Sequence, residues 1–387
     1  MVSKHELKGI LILLLIIGLI AFVMAAINGN LERFGINWFS PKTVYDKIAY
    51  VSDGDIWVMD KDGSNQTRLT EGMKVSTAPA VSPYGNRIAF VGQGKFGRQV
   101  TTVSPEGGKV KYITSSAETK RMPTYSPDGS HMAYIMSNKI FVASSTGGSA
   151  HSVLPTHNEI HAAISDAVGR SEIPAYNNYA WGPEGNMMIG SARVGDGDNA
   201  LTYLAGMEDG DSQRFPPLKE NAKTQVVALD WALAANVFAA AETADKETFL
   251  VVCEGLQNTV PYPIGKRDVS DLALSPDGTL LLFAVRNVED NTPPGIYRID
   301  LQLKTIDFFA AGIYEDLSFS PDGESLLATA LEGDKSDIVL ITLSDNKMTR
   351  LTKDGKSRSG AWFPMKGFET VKKDGGHVHD EHCGHEH

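Results

Sequence analysis

One turn motif recurs along this chain at nearly constant spacing, and it restricts the fold more than any other feature. Ser126-Pro127-Asp128-Gly129, Ser275-Pro276-Asp277-Gly278 and Ser320-Pro321-Asp322-Gly323 are identical, and Ser82-Pro83-Tyr84-Gly85 and Gly182-Pro183-Glu184-Gly185 are near copies. Proline presets φ at the second position, serine or aspartate bonds to nearby backbone, and glycine accepts a left-handed conformation. Each copy stands between runs of strand character, such as Pro123-Thr124-Tyr125 before and His131-Met132-Ala133-Tyr134-Ile135 after. Two decayed copies complete the series. Trp231-Ala232-Leu233 keeps the flanking strands, and Trp362-Phe363-Pro364 keeps the proline.

From the proline positions 83, 127, 183, 233, 276, 321 and 364, the spacings are 44, 56, 50, 43, 45 and 43. A period of roughly 44 residues accommodates four short strands, the length of a propeller blade. Two residues before each proline position stand Val81, Tyr125, Trp181, Trp231, Leu274, Phe319 and Trp362, all large and apolar. One residue further back stand Ala80, Thr124, Ala180, Asp230, Ala273, Ser318 and Ala361, small in every case but one. This alternation suits an inner strand whose large side chains pack between blades, so these aromatics read as core. Three more strands are expected after each turn, for example Arg87 to Val91, Gln99 to Val103 and Lys109 to Ile113 in one unit. The first unit, Lys47 to Thr70, lacks an inner strand. The last, Arg358 to Phe363, has nothing else. Joined, they form one blade and close the ring, which removes the open edges of a linear array. The expectation is an all-β, seven-bladed β-propeller over residues 44–365. Six blades is the alternative, if the decayed copy near Trp231 belongs to a neighbouring blade.

These units resemble the TolB-type, WD40-like propeller repeats, in which a Ser-Pro-Asp-Gly turn precedes a strand such as Ile-Ala-Phe. The matching strands are Ile48-Ala49-Tyr50, Ile88-Ala89-Phe90 and Met132-Ala133-Tyr134, and Thr67-Arg68-Leu69-Thr70 is echoed at Thr349-Arg350-Leu351-Thr352. The resemblance implies the fold. It implies neither a Tol-system role, since no α/β domain precedes the repeats, nor peptidase activity, since no hydrolase-sized segment follows them.

Before the repeats, Gly9 to Ile27 reads GILILLLIIGLIAFVMAAI, 19 residues without charge. At about 1.5 Å per residue this nearly spans a hydrocarbon core of about 30 Å. Lys4 and Lys8 precede it, which places residues 1–8 in the cytoplasm, the 9–27 helix in the membrane, and the 28–43 linker and propeller outside. The alternative is a cleaved signal peptide with Val23-Met24-Ala25 near the cleavage site. The net charge of −11 and the lack of any Lys/Arg run exclude a general nucleic-acid role. Two cysteines, Cys253 and Cys383, make no disulfide framework.

Three groups of residues could carry chemistry. The 366–387 tail is expected to be disordered and holds His377, His379, His382, Cys383, His385 and His387, with five of the chain's ten histidines in its last eleven residues. Imidazole and thiolate suit zinc or another divalent transition metal. His157 and His161 stand one turn apart on an expected helix over Asn158 to Val168, within the insertion Ser152 to Tyr176 that accounts for the 56-residue spacing. They form a metal-compatible pair without an evident third ligand. Asp230, Asp271 and Asp316 approach the expected central channel, where a cation site is conceivable. Asp230, at a small-residue position, needs a hydrogen-bond partner if buried. No Gly-x-Ser-x-Gly elbow, phosphate loop or Cys-x-x-Cys is present. The leading expectation is a membrane-anchored extracytoplasmic scaffold with a protein partner on one propeller face. A zinc-handling protein using the tail and a lactonase-type propeller enzyme are the alternatives.

Overall fold

The computed structural model describes residues 47–157, 160, 173–194, 201–208, 211–215, 224–244, 247–254, 257–288 and 293–364. Among these, 28 strands form seven four-stranded antiparallel sheets. Blade 1, which contains both ends of the ring, comprises β28 (Ser357–Trp362), β1 (Lys47–Ser52), β2 (Asp55–Asp60) and β3 (Thr67–Arg68), in that spatial order. β28 pairs with β1 through Ile48↔Trp362 and Ala49↔Ala361, which is the expected closure. Blade 2 is β4 (Ala80–Val81), β5 (Ile88–Gly94), β6 (Gly97–Val103) and β7 (Lys111–Tyr112). Blade 3 is β8 (Lys120–Tyr125), β9 (His131–Met136), β10 (Lys139–Ser144) and β11 (Ala150–Leu154). Blade 4 runs from β12 (Ala175–Trp181) through β13 (Met187–Val194) and β14 (Leu201–Glu208) to β15 (Asp211–Phe215). Blade 5 is β16 (Thr224–Ala232), β17 (Val237–Ala244), β18 (Glu247–Glu254) and β19 (Gln257–Gly265). Blade 6 is β20 (Arg267–Leu274), β21 (Leu280–Val288), β22 (Gly295–Asp300) and β23 (Thr305–Ala311). Blade 7 is β24 (Ile313–Phe319), β25 (Ser325–Glu332), β26 (Lys335–Thr342) and β27 (Met348–Arg350). The decayed copy at Trp231 therefore heads a blade of its own, which excludes the six-bladed alternative.

The repeated tetrapeptide is the link between the first two strands of a blade. Ser126 Oγ donates to Asp128 Oδ1 at 2.6 Å and accepts the His131 N–H at 3.0 Å. Ser275 does the same with Asp277 at 2.5 Å and the Leu280 N–H at 2.9 Å, and Ser320 with Asp322 and the Ser325 N–H. The hydroxyl thus spans the turn, which is why these serines are buried. Gly129, at φ 69°, closes the turn in a conformation that a side chain would strain. In blade 2, where Tyr84 replaces the aspartate, Asn86 Oδ1 accepts the Ser82 hydroxyl at 2.9 Å instead.

The second strand of each blade is buried on both faces between its neighbours. β5 carries the continuous buried run Ile88-Ala89-Phe90-Val91, and β25 buries six consecutive residues. The small members of these strands let adjacent blades approach. At Gly190 an added Cβ would meet Ile140 Cδ1 of the preceding blade at 3.3 Å, as well as Tyr176 Cδ1 of its own sheet at 2.8 Å. Apolar clusters join neighbouring blades: Val51 and Ile56 with Phe90, Ile135 and Ile140 with Tyr176 and Met188, and Leu250 with Leu272 and Phe283. The repeated aromatics lie in this core as expected. The Trp181 indole donates to Thr124 Oγ1 at 3.0 Å and the Trp362 indole to Ser318 O at 3.1 Å. Each reaches the small-residue position of the preceding blade.

Among the described residues, no helix is long and apolar enough to cross a membrane. The expected 9–27 span, the 28–43 linker and the 366–387 tail lie outside the described residues.

Candidate functional site

The innermost strands all begin at one end of the ring, here termed the proximal face, and end in the turns at the distal face. The β5–β6 and β9–β10 hairpins also lie at the proximal end. Just after their start, several innermost strands are bulged: β8 between Arg121 and Thr124, and β24 between Glu315 and Ser318. The β1–β28 pairing is irregular at the equivalent place. An inserted residue bends the strand and re-aims its side chains. Met122, Asp316 and Ser359 sit at these bulges with φ of 50°, 52° and 56°, a strained conformation for residues with a Cβ. All three line a cavity of 570 Å³ at the mouth of the central channel.

The same cavity is bordered by Arg98 from the start of β6, Lys120 and Arg121 from β8, and Arg358 from β28. Ser76 to Ala80 and Pro123 supply small and apolar wall. Arg121 and Arg358 stand at the same register, five residues before the turn-serine position occupied by Ser126 and Phe363. None of the four cations forms an ion pair among the described residues. Arg121 Nη2 donates to the Asn138 amide oxygen at 3.3 Å, and Arg358 Nη2 reaches Val75 O at 3.4 Å. Arg98 is exposed.

Lys120 is different, being 1 % exposed. Its Nζ donates to Gln99 Oε1 at 3.1 Å and to the Ser116 carbonyl. The reason lies in another repeated device. In blade 1, Asp55 accepts Thr70 Oγ1 at 2.9 Å, Arg68 at 2.7 Å, and the Gly72 and Met73 N–H groups at 3.0 Å, while Thr70 Oγ1 accepts the Ile56 N–H. In blade 7, Asp337 likewise binds Thr352, Arg350 and the Gly355 N–H. These are the structural role of the two Thr-Arg-Leu-Thr segments. In blade 2 the aspartate is replaced by Gln99 and the arginine by Tyr112, and Lys120 from the next blade fills the space. The cation is therefore solvated by neutral oxygens, and burial holds its ammonium below the usual lysine value.

The three channel aspartates do not converge on one point. Asp230 Oδ2 accepts the Leu274 N–H of the next blade at 2.8 Å, and Oδ1 accepts the Trp231 N–H. Asp230, half-buried, thus has backbone partners on both oxygens, and desolvation raises its pKa. Asp271 Oδ2 accepts the Leu317 N–H of the next blade at 2.7 Å. Burial pushes its carboxyl up to about 7, against the pull of that N–H and with the help of the Asp316 and Asp230 charges. Asp316 Oδ2 accepts the Thr329 and Ser359 hydroxyls, both at 2.9 Å. Two of the three are thus committed to backbone groups between blades, and only Asp316 borders the cavity, among four cations. The balance of charge at the mouth suits an anion.

Among the described residues, no three His, Cys, Asp or Glu side chains are placed to hold a metal ion. His157 is exposed and opens a helical turn in which the Ile160 N–H donates to Thr156 O at 3.1 Å. His161, with most of the insertion, lies outside the described residues, as do His377, His379, His382, Cys383, His385 and His387.

Comparison with known proteins agrees with the fold. Residues 93–190 match the dipeptidyl peptidase IV N-terminal region. A tricorn protease homolog from Saccharolobus solfataricus is 29% identical over 69 residues, 18% of this chain and 6% of that protein. The match thus covers a small part of a much longer relative. Among solved structures, TolB from Acinetobacter baumannii aligns with a TM-score of 0.50 and 15% identity, over 82% of this chain and 67% of its own. The tricorn protease gives 0.57 at 11% identity, over 82% and 34%. An oligogalacturonate lyase in complex with manganese gives 0.57 at 14% identity, over 75% and 82%. By fold this chain is a seven-bladed β-propeller, and its repeats are similar to the TolB-type, WD40-like units.

Proposed function

We propose that the propeller is a protein-binding scaffold held outside a membrane by the 9–27 segment, and that it engages its partner through the proximal face. The carrying observation is the group of four cations bordering the channel mouth without a carboxylate partner, in a chain of net charge −11. Where acidic neighbours are within reach, cations elsewhere among the described residues do pair, as in Arg286–Glu315 and Arg350–Glu332. A cluster that stays unpaired beside a concave surface is a binding feature, since rigid scaffolds present partner sites on such connecting segments. Phe96, 60% exposed at the tip of the β5–β6 hairpin, adds an apolar anchor on the same face.

A photo-crosslinking residue tests this when placed at Phe96 on the proximal face or at Glu184 on the distal face of the full-length protein in its native membrane. Adducts of one discrete mass are expected from position 96 and not from 184. Adducts from 184 alone, or from neither, would overturn the reading.

A further inference from the structure

The chemistry of the mouth identifies what part of a partner it takes. Three of its cations are guanidinium groups, whose planar forks match carboxylates in two-point contacts. Among the described residues their hydrogen bonds use two donors, one each on Arg121 and Arg358. The cavity is not purely cationic. Ala78, Pro79, Met122 and Pro123 give it an apolar wall, and its 570 Å³ is within the range of about 300–1,000 Å³ that encloses a small ligand or a few residues. Asp316 supplies the complementary feature. Both of its hydroxyl donors, Thr329 and Ser359, bind Oδ2, so Oδ1 is left to accept a donor from the occupant. A polyphosphate or a bare polyacid has no such donor. A peptide has one at every residue.

We infer that the channel mouth seats an acidic segment of a partner protein, with its carboxylates on Arg98, Arg121 and Arg358, an apolar side chain against Pro79 and Met122, and a backbone N–H on Asp316. The inference rests on the protein-scaffold reading and specifies its ligand chemistry. Lys120, buried behind the wall, contributes field rather than contact, because its ammonium is already held by Gln99 and Ser116. The cluster also draws an acidic segment toward a surface that the rest of this acidic chain repels, which raises the encounter rate at low salt.

The test uses the purified full-length protein in detergent and a labelled hexapeptide of alternating aspartate and leucine, capped at both ends, read by fluorescence anisotropy. Saturable binding is expected, weakened at least tenfold by Arg98→Gln/Arg121→Gln/Arg358→Gln and by raising salt from 50 to 300 mM. The asparagine–leucine counterpart is expected not to bind. The circular dichroism melt of the triple variant should match that of the parent, since none of the three arginines is in the core. Equal binding of the asparagine peptide, an unchanged triple variant, or no binding of the acidic peptide would each sink the inference. Citrate displacing the peptide at equal concentration would also overturn it, in favour of a small polyacid. Crosslinking at Phe96 separates the two levels. If the partner is trapped there equally by parent and triple variant, the scaffold reading stands and the acidic seat fails.

Discussion

Two arcs of the channel wall use charge in opposite ways. Through blades 5, 6 and 7, acids on the innermost strands reach into the next blade: Asp230 to the Leu274 N–H, Asp271 to the Leu317 N–H, and Asp316 to the Ser359 hydroxyl. Across blades 1, 2 and 3, the wall carries Arg358, Arg98, Lys120 and Arg121 with no carboxylate among their hydrogen-bond or ion-pair partners, although the Glu118 charge acts on Lys120. The acids bond neighbouring sheets, and the cations leave bonding capacity for something else. A buried acceptor that satisfies a backbone donor is expensive to remove, because the donor is then stranded. An arginine at a cavity rim is nearly neutral for stability, because water replaces what it loses. The difference teaches that charge near a propeller axis is informative only once its partners are counted.

The contrast can be broken by substitution. Asp271→Ala should have the largest effect, a loss of about 2–3 kcal/mol by urea unfolding, since it strands the Leu317 N–H between blades 6 and 7. A loss below about 0.5 kcal/mol would mean that the acid does not tie the blades. The same residue gives a pH signature. Its folded-state pKa of about 7 lies above the ordinary carboxylate value, so its contribution is complete below about pH 4 and disappears as pH rises through 7. The stability difference between the parent and Asp271→Asn should therefore shift against the parent between pH 4 and 8, with Asp230 and Asp316 as the nearby charges. A flat difference would contradict the assignment.

Asp316→Ala belongs to both arcs. It should cost about 1–2 kcal/mol, because the buried Thr329 and Ser359 hydroxyls lose a shared acceptor but can rotate toward water entering the space that the carboxylate leaves beside the cavity. It also removes the carboxylate from the mouth, leaving four cations unopposed. A stability loss as large as that of Asp271→Ala would erase the distinction between the arcs. Lys120→Met should change stability by less than about 1 kcal/mol, since a desolvated cation bound only by neutral oxygens is replaced by an apolar chain of similar length. A loss above about 3 kcal/mol would show that Lys120 is a structural tie. Arg98→Gln should be smallest, within about 0.5 kcal/mol by the same unfolding assay.

The fold was readable because its signal is periodic and local. Ser126, Ser275 and Ser320 recur with their Pro-Asp-Gly because the turn itself needs them, and the orphan strands at Lys47 and Arg358 could be joined by count. Even the decayed unit at Trp231 kept its place in the register. The candidate site was less legible, because it is assembled across the repeat rather than along it. Arg98 comes from the third strand of one blade, Arg121 from the first strand of the next, and Arg358 from the closing strand. Two residues before the small-residue position stand Asp271, Asp316, Met122 and Ser359, and one residue further back stand Arg121 and Arg358, a register that the alternation of large and small side chains does not mark. Lys120 had no such signal. Its burial follows from the exchange of an aspartate for Gln99 in the blade before it, which only the three-dimensional neighbourhood exposes.

The closing strand has a mechanical consequence. Lys47 O accepts the Phe363 N–H at 3.2 Å, so the chain joins and leaves the ring at the distal end, and β1 lies between β28 and β2 with a ladder on each side. A pull on Lys47 away from the proximal face, with the rest of the ring held, runs along the axis of β1. Both ladders then resist together in shear. A force separating Lys47 from Phe363 instead peels β1 from β28 bond by bond. A load along β1 is therefore borne by two ladders at once, and a load across the ring's closure by one bond at a time.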